Sequence, residues 1–228
     1  MRKSRLDLSL YLITDTALCG QFGVSATVTA AARAGVTVVQ LRDPSATDDE
    51  LVDLGRTVVT ALKGTGVPLL VNDRVHLVEA IGAQGAHVGQ SDLDIAEARA
   101  LLGPAAYLGL SVQTVGHVAR ARAYGVRSLD YLGVGPVWAQ TTKRDAGAPG
   151  GVERLRAIVS VSPWPCLAIG GVDADRVPLV RATGAAGVAI VSAICGRPDV
   201  AAASRAIRAA WDGASGRFEP QGSKPGST

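Results

Sequence analysis

Asp73 and Asp92 each sit just past a short apolar run, 68–71 and 86–89. If those runs are neighbouring strands they lie ~4.8 Å apart, and the two carboxylates can face one cation. Two carboxylates, waters and substrate phosphate oxygens together make a Mg²⁺ site. The ordinary reading of Asp73 is an ion pair with Arg74 or a cap on the next helix. Arg42 ends another apolar run, and Lys143 lies in a long loop. On a shared rim they would bracket a diphosphate. Taken singly, Arg42 could pair with Asp43 or Asp15, and Lys143 could be a solvated loop charge. Gly170-Gly171 and Val191-Ser192 close two later runs. Bare backbone N–H groups there, next to a helix N-terminus, can seat a phosphate.

Other reactive side chains do not assemble into a motif. His76, His87 and His117 lack zinc-ligand spacing and are expected to be structural. Cys19, Cys166 and Cys195 are odd in number and unpaired in spacing, which argues for small buried thiols rather than a disulfide framework. Trp138, Trp164 and Trp211 are expected in the core, with Trp138 set apart by its place in the loop that carries Lys143. No Ser/His or Cys/His constellation stands out, so the chemistry does not require a protein nucleophile.

Residues so far apart need a scaffold that converges. Short apolar runs recur at 8–14, 36–41, 68–71, 86–89, 107–110, 129–134, 166–169 and 188–191. They read as buried parallel strands. Amphipathic segments alternate with them at about 25–34, 48–63, 74–82, 94–102, 115–124, 151–160, 173–182 and 198–212. Asp48-Asp49-Glu50 places acids in a first helical turn, where the helix dipole favours them. Eight strand–helix units in one chain predict an α/β fold, a closed (β/α)₈ TIM barrel over 1–212, with an open doubly wound sheet as the alternative. The Gly-, Ser- and Pro-rich stretch 213–228 is expected to be a disordered tail. In such a barrel the site forms at the C-terminal strand ends. Those ends supply Asp15, Gln40 with Arg42, Asn72 with Asp73, Gln90 with Asp92, Ser111, Gly135-Pro136, Gly170-Gly171 and Ser192.

Composition narrows the partners. A hydrophobic content of 47% with only 4% aromatics calls for an aliphatic core. The net charge of +3, without a basic run, argues against nucleic acid and suits small anions. Residues 6–13 are interrupted by Asp7 and Ser9 and do not read as a signal peptide, and no window nears the ~18 apolar residues of a membrane span. The expected location is the cytoplasm, without membrane contact. The oligomeric state is left open, a homo-oligomer included.

From about Tyr11 to Cys195 the chain resembles the thiamine-phosphate synthase (thiamine-phosphate pyrophosphorylase) family. The resemblance rests on Val39-Gln-Leu-Arg-Asp43, Val71-Asn-Asp-Arg-Val75, Gly85-Ala-His-Val-Gly-Gln-Ser-Asp92, Leu108-Gly-Leu-Ser111, Asp130-Tyr-Leu-Gly-Val-Gly-Pro136, Thr142-Lys143, Ala168-Ile-Gly-Gly171 and Val188-Ala-Ile-Val-Ser-Ala193. It implies a transferase that joins a pyrimidine diphosphate to a thiazole phosphate with Mg²⁺ as cofactor. It further implies that Gln40, Arg42, Asn72, Ser111 and Lys143 contact the pyrimidine diphosphate, with Arg42, Lys143 and Ser111 as catalytic groups. Asp73 and Asp92 take the metal. Gln140, Thr141, Thr142, Gly171, Val191 and Ser192 seat the thiazole phosphate.

The chain also departs from that pattern. The family usually has Lys two positions after Arg42, where this chain has Pro44. Gln140 stands where a Thr is usual, and Gln113 where many relatives have His. Losing one charge-assisted contact at Pro44 is worth ~1.5–3 kcal/mol unless compensated. Two other readings follow. One is a pocket-retaining binding or regulatory protein without turnover. The other is a thiazole-isomerising relative, although Pro136 stands where such relatives place a His.

Overall fold

A computed structural model describes residues 4–142 and 147–213. Among these, eight parallel strands close into a barrel in chain order. They are β1 (Leu10–Ile13), β2 (Val38–Leu41), β3 (Leu69–Asn72), β4 (Gly85–Val88), β5 (Tyr107–Val112), β6 (Tyr131–Val134), β7 (Cys166–Ile169) and β8 (Gly187–Ile190). The closing pair is β1 with β8, in register Tyr11 to Ala189, which rules out the open doubly wound sheet. The helices are α1 (Thr16–Cys19), α2 (Val24–Arg33), α3 (Asp48–Ala61), α4 (Val78–Ile81), α5 (Ile95–Leu102), α6 (Val115–Arg122), α7 (Gly151–Val161), α8 (Val177–Arg181) and α9 (Val200–Gly213).

The strands are buried on both faces because each is sandwiched between the barrel interior and the helices. One apolar cluster, including Leu10, Leu12, Val39, Leu41, Leu108 and Leu132, packs outward against the helices. The other fills the barrel and holds Tyr11, Ile13, Val38, Leu70, Tyr131, Leu167 and Ala189. Fully burying one such aliphatic side chain contributes ~1.5–3 kcal/mol, so a core with few aromatics still suffices. Trp164 and Trp211 are buried as expected, and the Trp164 indole N–H donates to the Val126 carbonyl at 2.8 Å.

The acidic start of α3 is a complete capping box. Thr47 N–H donates to Glu50 Oε2 at 2.8 Å, and Glu50 N–H donates to Thr47 Oγ1 at 3.3 Å. Three expectations need correction. The segment read as a helix over 74–82 is a 3₁₀ turn, Val75–Leu77, followed by the short α4, so His76 lies on the turn. The segment 173–182 is helical only over α8, because Asp173 first folds back to accept from the Arg176 amide at 3.1 Å. Finally, α9 runs through Gly213, one residue into the stretch read as a tail, while 214–228 lie outside the described residues. Among the described residues no helix is long and apolar enough to cross a membrane.

Candidate active site

The C-terminal strand ends enclose a cavity of about 480 Å³. Gln40, Arg42, Asn72, Ser111, Gln140, Thr141, Thr142, Gly171, Val191 and Ser192 all line it. A second cavity of about 370 Å³ is lined by Asp73 and Asp92. Arg42, Asn72, Ser111 and Gln113 belong to both walls, so the two spaces adjoin. Residues from distant parts of the chain thus surround one divided site. Lys143 lies outside the described residues.

Local structure holds each polar group. Arg42 follows β2, and its backbone N–H donates to the buried Thr14 hydroxyl at 2.9 Å. Neither suggested acidic partner takes the guanidinium: Asp43 accepts from Ser45, and Asp15 caps α1 through the Leu18 amide. The Asp43 turn carries Pro44 into the wall of the smaller cavity. Arg74 is likewise committed elsewhere, to Asp48 at 3.1 Å and to the Ala46 carbonyl at 2.6 Å.

Asp73 alone among the described non-glycine residues has a left-handed backbone, with φ of 60°. Asp tolerates this region better than most residues, but it still costs ~1 kcal/mol or more and clusters at functional sites. The Asp73 amide donates to the His87 carbonyl on the neighbouring strand at 2.8 Å, and Asn72 Nδ2 donates to Asp73 Oδ2 at 2.6 Å. Asp92 Oδ2 accepts from the Gly89 amide at 2.7 Å. Two carboxylates on one cavity, beside an amide and a hydroxyl, are the hard oxygen donors a Mg²⁺ ion requires. The donor set therefore fits that ion.

The opposite wall is built on backbone. Gly171 has φ of 65°, and a Cβ there would fall 2.6 Å from the Ala139 carbonyl oxygen. Only glycine lets the loop after β7 pack so closely on the loop after β6. That packing is stitched by Val137 N–H to Ile169 O at 2.9 Å and Trp138 N–H to Gly170 O at 3.0 Å. Within the loop after β6, Thr142 donates to Gln140 Oε1 at 3.0 Å.

Sequence reasoning missed several lining residues, among them His87, Tyr11, Arg176 and Arg197. His87, expected to be only structural, lines the cavity, and its ring reaches Ser111 Oγ and the Tyr131 hydroxyl, each at 2.9 Å. Tyr11 lines the cavity floor from β1. Arg176 lies 5.1 Å over the Trp138 ring and donates to the Gly171 carbonyl. Arg197 donates to the Ser192 carbonyl at 3.1 Å. The strand residues lay inside uniformly buried runs, where no alternation marks the inward face. The arginines lie seven residues beyond the ends of β7 and β8, outside the strand-end positions.

A family model described as thiamine monophosphate synthase matches residues 10–194. The chain belongs to the thiamine monophosphate synthase family. Relatives named thiamine-phosphate synthase include that of Azorhizobium caulinodans, 45% identical over 89% of this chain and 94% of its own length. Another, from Xanthobacter autotrophicus, is 46% identical over 90% and 95%. The solved structure of thiamine phosphate pyrophosphorylase from Pyrococcus furiosus superposes with a TM-score of 0.82 at 31% identity, covering 93% of this chain and 99% of that one. A 3-hexulose-6-phosphate synthase at 17% identity and a TM-score of 0.64 shares the barrel alone. Family membership thus agrees with the convergence of polar groups at the strand ends.

Proposed function

We propose that this family member condenses 4-amino-2-methyl-5-(diphosphooxymethyl)pyrimidine with a thiazole phosphate, giving thiamine phosphate and diphosphate. The observation that carries this reading is the pair of adjoining cavities, one carboxylate-lined and one walled by glycine backbone, that share Arg42, Asn72 and Ser111. The chain acts as a single barrel domain on small molecules, in the cytoplasm, without nucleic acid.

In the proposed mechanism the C–O bond between the pyrimidine methylene and the diphosphate breaks heterolytically. The bonding pair leaves with the diphosphate, and the thiazole nitrogen donates its lone pair to the methylene carbon to form the new C–N bond. Arg42, the Ser111 hydroxyl and Lys143 stabilise the charge that grows on the leaving group. Asp73 and Asp92 would hold Mg²⁺, which when bound supplies further positive charge to the diphosphate oxygens. Gln40 and Asn72 orient the first substrate. The Gln140–Thr142 segment, Gly171, Val191 and Ser192 seat the phosphate of the second, with backbone N–H groups as donors. The protein's remaining work is to hold two substrates in line and keep water from a reactive cation.

The test supplies purified protein with both substrates and Mg²⁺ and follows diphosphate release. Release that requires both substrates is expected. Tight pyrimidine-diphosphate binding without release would favour a binding protein, and isomerised thiazole formed without the pyrimidine would favour the isomerising relative.

A further inference from the structure

Five side chains run hydrogen bond to hydrogen bond across the barrel, from one substrate-facing residue to another. Gln40 Nε2 donates to the Tyr11 hydroxyl at 2.9 Å. The Tyr11 and Tyr131 hydroxyls meet at 2.8 Å. The Tyr131 hydroxyl lies 2.9 Å from His87 Nδ1, and His87 Nε2 lies 2.9 Å from Ser111 Oγ. Both tyrosines are completely buried. The barrel makes room for their rings with glycine: a Cβ on Gly109 would lie 2.2 Å from Tyr131 Cζ and 2.5 Å from His87 Nδ1.

Proton counting gives the row a direction. Each phenol has one proton, and burial pushes both phenols above their usual range, so both stay protonated. The Gln40 amide already donates into Tyr11. With Tyr11 already accepting from Gln40, the arrangement that keeps every proton within the row has Tyr11 donating to Tyr131 and Tyr131 donating to His87 Nδ1. That leaves the His87 proton on Nε2, facing Ser111 Oγ. In the reverse direction Tyr11 would accept twice and turn its proton away from the row.

We propose that Tyr11, Tyr131 and His87 are positioning residues: they form a one-way relay that fixes His87 as the Nε2–H tautomer and so turns the Ser111 hydroxyl proton into the cavity as a donor. The consequence for turnover rests on the proposed reaction, in which that proton meets the departing diphosphate. The tautomer itself does not.

The test begins with the wild type labelled with ¹⁵N-histidine. Long-range ¹H–¹⁵N correlation distinguishes the Nε2–H from the Nδ1–H imidazole, and His87→Gln assigns the signal by its loss. The Nε2–H pattern is expected at neutral pH. In Tyr131→Phe, with folding checked by thermal melting, the pattern shifts toward a mixture. Its kcat falls roughly ten-fold, the worth of one well-placed hydrogen bond, while KM for the thiazole phosphate stays near the wild-type value. His87→Gln keeps a donor near the Nε2 position and retains more turnover than His87→Asn, whose shorter amide reaches only as far as Nδ1. A wild-type Nδ1–H signal, or Tyr131→Phe with unchanged spectrum and kcat, overturns the relay. Absence of diphosphate release from the wild type overturns the assigned reaction instead.

Discussion

Thr14, the residue after β1, takes the backbone N–H of Arg42 on its hydroxyl at 2.9 Å. Thr14 is fully buried, so the bond is shielded from water. It fixes the first residue past β2 at the point where its guanidinium enters the wall of both cavities. Thr14→Val keeps the shape but leaves a donor unmet, which costs ~1–3 kcal/mol. Denaturant unfolding should show that loss, and steady-state kinetics should show a raised KM for the pyrimidine diphosphate. An unchanged midpoint and KM would mean the bond positions nothing.

The carboxylate pair leads to a metal prediction. Chelator treatment should abolish diphosphate release, and added Mg²⁺ should restore it. Asp92→Asn can still accept from the Gly89 amide, so the loop should keep its shape while the Mg²⁺ concentration for half-maximal rate rises ten-fold or more. Asp73→Ala removes one carboxylate and the acceptor for Asn72, and should lose nearly all turnover. Full activity of either variant at low Mg²⁺ would remove these residues from the metal site.

Gly109 is a packing prediction with a functional consequence. An added methyl would sit 2.2 Å from Tyr131 Cζ, so the ring must move or the strand must shift. Gly109→Ala should destabilise by ~1–3 kcal/mol, as overpacked cores do. It should also reduce kcat, because the displaced ring carries the contacts to Tyr11 and His87. Thermal melting and the diphosphate assay check the two effects separately.

Acid stability has a local source at Asp48. The hydrogen bond from His76, with the charges of His76 and Arg74, holds the Asp48 carboxyl below its ordinary value. A carboxyl whose pKa is lower folded than unfolded adds stability above its unfolded value, about 3.9, and loses that stability as pH falls through the folded value. Asp48→Asn should therefore melt below the wild type at pH 6, and the gap should close as pH drops below about 4. A gap that is constant through this range would contradict the shift.

Much of this arrangement was legible in the residues. Eight apolar runs bounded by turn residues allowed a barrel, and a barrel has one face where strand ends collect. That logic placed Gln40, Arg42, Asn72, Ser111, Gly171 and Ser192 on one cavity and Asp73 with Asp92 on its neighbour. The capping box at Thr47 and Glu50 was foreshadowed by Asp48-Asp49-Glu50, because it depends on neighbours in the chain. Segments with weaker local signals were misread: 74–82 contains a 3₁₀ turn, and 173–182 starts its helix late.

The sequence by itself determined the number and order of the strands and the polar residue each strand end carries, because periodicity and turn chemistry act over a few residues. Only the tertiary structure decided which side chains inside uniformly buried strands point into the barrel and meet there. Tyr11, His87 and Tyr131 come from β1, β4 and β6, and no pattern along any one strand distinguishes them from core residues. Their contact depends on the register around the closed sheet, which aligns His87 with Gly109 and Gly109 with Tyr131. That alignment is a property of eight strands meeting, so it exists only once the barrel has closed.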